Sequence, residues 1–377
     1  MPYLRCLIYG IAGLAFCGTS VNAIPMNPND FTSLGALPGG NLTIDTNALT
    51  VSGIGGNGVF AAQAGGPDIA VFTFDDGAIL GAGNTITVTG SNPVALLFQG
   101  AATFSGSIDI SGADGTPVSQ GAGGQGVAGG GRGGNSGPFS ETNGTGPGAG
   151  LAGSTSASSS GAGSGSGAGF GTEGGPGGAG ATFRAGGSTY GDPLRDILFA
   201  GSGGGGGNCC PFGNSGGAGG SALEIGALTL LDLVGASIIA NGGDGGTFSR
   251  GGGGSGGGLL LHAFDFSMDY ASLLQANGGD GSSIGSARGG CGSAGRIEIL
   301  HNTSGSTLIE GSVEALTGVG KDACDTASNV FATVALNDIG EAPNNNGAST
   351  NIPEPGTLGL LGLGLAGLGL YRRHKYA

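Results

Sequence analysis

Almost one residue in four of this chain is glycine, 93 of 377. Each glycine inside a helix is less favourable than alanine by about 1 kcal/mol, so an ordinary helical globular enzyme is excluded from the start. Collagen is excluded too, because glycine does not recur at every third position. What remains is short β-structure punctuated by glycine. Charge narrows the partners: 25 acidic against 11 basic residues give a net charge of −14. Such a chain lacks the basic face of a nucleic-acid binder and does not adsorb simply on anionic membranes.

Within residues 31–111, short alternating or β-branched runs read as strands: Leu42-Thr43-Ile44, Ile69 to Phe74, Thr85 to Thr89, Val94 to Phe98 and Ser107 to Ile110. Residues 112–189 are Gly/Ser-rich and low in complexity. They carry too little apolar surface to offset backbone ordering entropy, which predicts flexible loop. Residues 190–320 hold a repeat. Ala240 to Ala276 and Asp244 to Asp280 are both 36 residues apart, and Leu223 and Ile225 map onto Leu259 and Leu261 at the same shift. Ile297 and Ile299 mark a looser third copy, and Ser105 to Gly115 matches the second half of the unit. One unit cannot bury its own apolar stripe, whereas stacked units can. The expectation is an all-β fold: a parallel β-solenoid, β-helix-like, with the glycine tracts as protruding, partly disordered loops. A β-sandwich is the alternative. The Asn-Gly-Gly-Asp-Gly segments are expected at sharp corners, where Asn and Gly tolerate positive φ.

Both ends read as processing signals. Arg5, the apolar run Leu7 to Phe16 and the small residues Val21 and Ala23 form a signal peptide cut after Ala23. At the other end Pro353-Glu354-Pro355 precedes an apolar run from Gly356 to Tyr371, followed by Arg372, Arg373, His374 and Lys375. An apolar run with a basic flank is a stop-transfer anchor whose basic end stays cytoplasmic. These three parts, in this order, closely resemble the PEP-CTERM sorting signal of Gram-negative bacteria that make exopolysaccharide. The resemblance implies export, transient inner-membrane anchoring, cutting near the Pro-Glu-Pro by an exosortase-type membrane protease, and a cell-surface or extracellular destination. Secretion machinery and signal peptidase are then partners. The body resembles glycine-rich β-repeat proteins exported by environmental bacteria, a likeness that brings no activity with it. The chain divides as 1–23 signal peptide, 24–111 β-rich region, 112–189 low-complexity segment, 190–340 repeat region, 341–352 linker and 353–377 sorting signal with a transmembrane helix.

Chemistry-bearing residues are sparse. With Cys6 and Cys17 removed in the signal peptide, Cys209, Cys210, Cys291 and Cys324 remain. An even count in an oxidising compartment suggests two disulfides, with three connectivities open. The turns that hold Asp114, Asp244 and Asp280 faintly resemble calcium-binding repeats. Their spacing makes a solvated turn Asp the ordinary reading, and weak calcium binding the alternative. His262 falls in the run Leu259 to Phe266 and is expected on its outer face. Asp265 and Asp269 are an acidic pair of the kind β-helical polysaccharide enzymes use, here without basic or aromatic company. Gly121 to Gly126 matches G-x-G-x-x-G, but no helix pattern follows. The expected protein is a non-enzymatic structural component of the cell surface or biofilm matrix, without cofactor. An adhesin or carbohydrate binder is the competing reading, with matrix polysaccharide as its partner.

Overall fold

The computed structural model describes residues 25–63, 65–117, 121–137, 141–153, 163–178, 183–191, 197–208, 214–246, 250–282 and 289–318, and the backbone of 331–336. All of them belong to one compact unit, Met1–Ala342. This unit is almost entirely β. Among the described residues the one helical element is a 3₁₀ turn, Pro28–Asp30.

Three open sheets hold the strands. The first contains β1 (Leu42–Asp45), β2 (Thr50–Val51), β6 (Thr85–Thr89), β9 (Ser107–Asp109), β12 (Ser237–Ile239), β15 (Leu273–Gln275) and β18 (Ser312–Glu314). The second contains β3 (Val59–Ala61), β4 (Ile69–Phe74), β7 (Val94–Phe98), β10 (Ala222–Ala227), β13 (Gly258–Ala263), β16 (Arg296–Asn302) and β19 (Phe331–Leu336). The third contains β5 (Ala78–Leu80), β8 (Ala102–Phe104), β11 (Leu230–Leu233), β14 (Asp265–Met268) and β17 (Thr307–Ile309). From β4 onward each strand pairs in parallel with the strand three places further along the chain. Antiparallel β2 and β3 border the first and second sheets at their N-terminal edges.

The pairing register follows the sequence repeat. Leu223 lies opposite Leu259 and Ile225 opposite Leu261; Leu259 and Leu261 lie opposite Ile297 and Ile299. Ser107 and Ile108 meet Ser237 and Ile238. The repeat nevertheless holds three strands rather than two. The run Leu259 to Phe266 breaks at Phe264, because β13 ends at Ala263 and β14 starts at Asp265. Inward residues of all three sheets meet in one apolar core, among them Leu96, Phe98, Phe104, Leu231, Ile238, Phe266 and Leu274. Phe98 stacks on Phe74 at 5.5 Å and meets Phe104 edge-on at 5.7 Å. Burying a side chain of this kind contributes about 1.5–3 kcal/mol.

Over β4, β7, β10 and β13 the second sheet is buried on both faces. Its outer residues Val71, Ala95, Leu97, Ala222, Leu260 and Leu300 form a second cluster with Met26, Leu198 and Ala200. That explains why β4, β7, β10 and β13 are buried at every position instead of alternating.

The glycine tracts depart most from expectation. They do not protrude as loops: residues 163–170, 201–208, 214–221, 250–257 and 289–295 are buried throughout. Their partners recur with a period of three. Gly201, Gly204 and Gly207 donate to Gly220, Gly217 and Asn214 at 2.8–2.9 Å. Gly203 and Gly206 donate to Thr145 and Thr142, and Gly205 to Ser166. Three residues per turn is the period of an extended, polyproline-II-type helix, whose amides have no partner within their own segment. Here neighbouring segments supply the partners. A Cβ on Gly204 would collide with the carbonyl oxygen of Gly252, and one on Gly254 with that of Ala218. The flexible-loop expectation for 112–189 therefore fails over its described residues. The entropy argument counted apolar area alone, and omitted main-chain hydrogen bonds made at a spacing only glycine permits.

Candidate functional site

The outer face of the second sheet carries a buried carboxylate–imidazole pair. Glu224 on β10 is fully buried, and its Oε1 lies 2.9 Å from Nε2 of His262 on β13. Register explains the meeting: His262 lies opposite Gly226, two positions along β10 from Glu224 and on the same face. A Cβ on Gly226 would collide with the His262 ring, so this glycine provides the notch the imidazole occupies. The same Oε1 accepts the Met26 amide at 2.6 Å, while Oε2 has no hydrogen-bond partner. His262 does point to the outer face, as its alternation requires, but that face is covered, leaving it 3% exposed. The cover is a strap, residues 26–31, fastened by the Gln99 side-chain amide donating to Pro28 O and Phe31 O at 3.3 and 3.0 Å.

Further along the same face a small pocket of about 60 Å³ lies between β13, β16 and residues 197–199, lined in part by Phe170, Phe199, Leu260, Arg296 and Glu298. The Arg296 guanidinium lies 5.5 Å from the centre of the Phe170 ring and donates to Tyr190 O at 3.1 Å. Tyr190 packs on Phe170 and Phe199. Its hydroxyl donates to Ala200 O at 2.5 Å and accepts from Ser202 Oγ at 2.9 Å. Burial pushes this phenol far above its ordinary value, against the lowering effect of its hydroxyl partners. Sequence reasoning missed Glu224 and the pocket, since both depend on pairing across distant segments.

The aspartates Asp114, Asp244 and Asp280 line up on successive turns. Asp114 Oδ1 accepts the amide of Asp244 at 2.8 Å, and Asp244 Oδ1 that of Asp280 at 2.7 Å. Asn241 and Asn277 form a parallel ladder, Asn277 N–H donating to Asn241 Oδ1 at 2.7 Å. Their glycines show no positive φ. The Asn-Gly-Gly-Asp-Gly segments are therefore not sharp corners but extended entries to the glycine bundle, with Asn and Asp bracing one turn against the next. Desolvation, with Asp114 and Asp280 as like-charged neighbours, raises the Asp244 carboxyl above its ordinary value. Among the described residues no three His, Cys, Asp or Glu side chains converge as a metal site.

Asp265 and Asp269 stand at opposite ends of β14, each bracing a turn. Asp265 Oδ1 accepts the Ser306 amide at 2.6 Å and Asp269 Oδ1 the Gly235 amide at 2.9 Å. The Gly235 amide, then the Ser272 hydroxyl, hold the Asp269 carboxyl below the usual range. Cys291 is buried in the bundle and disulfide-bonded. Cys209, Cys210, Cys324, Ala23, Pro353, Glu354, Pro355, Arg372 and Arg373 lie outside the described residues. Among the described residues no helix is long and apolar enough to cross a membrane.

Residues 351–373 match the family model of the PEP-CTERM protein-sorting motif. No curated protein and no solved structure matches the chain. The motif marks an exported protein that is anchored transiently in the membrane, processed by exosortase, a membrane protease, and delivered to the cell surface or beyond.

Proposed function

We propose that this exported chain is a non-enzymatic structural protein of the surface or exopolysaccharide matrix of a Gram-negative bacterium, its repeats wound as a parallel β-solenoid braced by the glycine bundle. The observation that carries the reading is where the reactive side chains go. Asp114, Asp244, Asp265, Asp269, Asn241 and Asn277 each hold one turn to another, so they serve rigidity rather than a substrate. The winding is supported by the n to n+3 pairing in all three sheets. Fractionation, and the stiffness of matrix from a strain lacking the protein, test the role: unchanged stiffness and no matrix-bound protein would sink it. Release of reducing ends from matrix polysaccharide by purified protein would make it an enzyme instead. The proposal includes no cofactor, and heat on titration with millimolar calcium would overturn that part.

The competing reading, a carbohydrate-binding adhesin, is favoured by the pocket beside Phe199, where Arg296 and Glu298 stand next to an aromatic wall. A glycan array decides between them. Binding that disappears in Arg296→Ala supports the adhesin, and no ligand above background supports the structural protein.

A further inference from the structure

The contact between Glu224 and His262 constrains how many protons the pair holds. Oε1 and Nε2 lie 2.9 Å apart. Two lone pairs facing each other there would repel, so a hydrogen stands between them. If the ring carries that hydrogen alone, the pair is net negative. Glu224 is 0% exposed, and its Oε2 has no hydrogen-bond partner. A buried charge left uncompensated is strongly unfavourable. The closed site therefore favours one further proton, which makes imidazolium beside carboxylate and no net charge. Other groups do not take over this role among the described residues. β3, β4, β7 and residues 197–200 contain no titratable side chain. β16, one strand beyond β13, carries Arg296 and Glu298. Arg296 lies against the Phe170 ring and donates to Tyr190 O, and the Tyr190 phenol is held by Ala200 O and Ser202 Oγ. His301 has the inward parity of Ile297 and Ile299. The strap brings only Asp30, which is exposed.

The same carboxylate oxygen holds the strap. Met26 N–H donates to Oε1 at 2.6 Å, and the Met26 side chain packs in the cluster of Val71, Leu97 and Leu260. Opening the strap lets water reach both groups, so it relieves any charge left on the pair. We propose that the Glu224–His262 pair is a proton-operated fastening. Residues 26–31 stay closed while the pair has no net charge, and open when it loses its proton or takes a second. The inference does not rest on the matrix role. Linkage gives its sign. A solvated carboxylate and a solvated imidazole titrate at about 4.3 and 6.5. Above the second value the open strap has given up a proton that the closed one keeps, so opening releases a proton and grows as pH rises. Below the first value the open strap has taken a second proton, so opening takes one up and grows as pH falls. The strap thereby turns a change of pH into exposed apolar surface.

Exported protein purified from culture, grown on methyl-labelled methionine, tests this by nuclear magnetic resonance. The methionines of the chain are Met1, Met26 and Met268. Met26 reports the strap, and Met268, 0% exposed in the core, reports the rest of the fold. The open fraction is read from the exchange of the Met26 methyl group. It is expected to be lowest between about pH 4.3 and 6.5, and to rise by up to about tenfold per pH unit on either side, the slope for one proton, with Met268 unchanged. Glu224→Gln keeps an oxygen for Met26 and is expected to lose the alkaline limb, leaving only an acid one. Glu224→Gln combined with His262→Gln is expected to lose both. A flat wild-type profile overturns the proposal. So does an alkaline limb in Glu224→Gln, a limb that survives in the double variant, or a Met268 signal that moves together with that of Met26. Met268 also shows whether each variant is folded, and the wild-type profile alone can overturn the fastening if one is not.

Discussion

The core between the sheets and the glycine bundle are both buried, but they are held by opposite means. Inside the sheets, Phe72, Phe98, Phe104 and Phe266 fill space with side chains, and the main chain is kept apart at ordinary strand spacing. Inside the bundle, residues 201–207 are buried with scarcely a side chain between them, and main-chain amides fill the space. The first region is stabilised mainly by removing apolar area from water. The second relies on hydrogen bonds whose individual net contribution is about 0.5–1.5 kcal/mol, multiplied by a dense lattice. Burial alone therefore does not identify a hydrophobic core, and the two regions should answer mutation in opposite senses: one suffers when atoms are removed, the other when they are added.

The largest effect is expected from Phe98→Ala, which removes a fully buried ring that packs on two others. It should lower stability by about 3–5 kcal/mol, read by thermal melting with loss of protection in the sheets. Gly204→Ala adds one methyl group and should approach the same scale. Overpacking ordinarily costs about 1–3 kcal/mol, and this case belongs at the upper end because the atom met is the main-chain carbonyl of Gly252. Hydrogen exchange should show Gly201 to Gly207 losing protection first; a neutral Gly204→Ala would break the comparison.

Smaller effects sharpen it. Asp244→Asn keeps an oxygen for the Asp280 amide but removes like charge beside Asp114 and Asp280. Because the folded carboxyl titrates above its ordinary value of 3.8, the folded state binds the proton more tightly than the unfolded chain. The wild type therefore loses stability at this site as pH rises through that window. The variant should melt slightly higher than wild type at pH 7 and equally with it at strongly acid pH; a lower melting point at pH 7 would contradict the ladder's electrostatics. Smallest is Gly39→Ala, a glycine with nothing near its Cβ position and no positive φ. It should be neutral or stabilising by about 0.4–1 kcal/mol through the unfolded chain. A large loss there would mean that glycine matters for reasons other than close approach.

The sheets were largely legible in the sequence. The strands at Leu42, Ile69, Thr85, Val94 and Ser107 follow from alternation and β-branching, and the 36-residue shift gives the pairing of Leu223 with Leu259. The third strand of each unit was not legible, since Asp265 to Met268 is short and merges with β13 by hydropathy. The candidate site was legible only in part. His262 was placed on the correct face, but Glu224, 38 residues earlier, and Met26 carry no local sign of meeting it.

What the sequence determined by itself is the inward pattern of the repeats, their register and the export signals, because each is written in side chains at fixed spacing. What only the tertiary structure decided is the partner of each glycine segment and the burial of the second sheet's outer face. A glycine has no side chain to distinguish one neighbour from another, so nothing local specifies that Gly204 meets Gly217 and Gly252. That choice is made when the parallel sheets, the strap and the bundle are packed together.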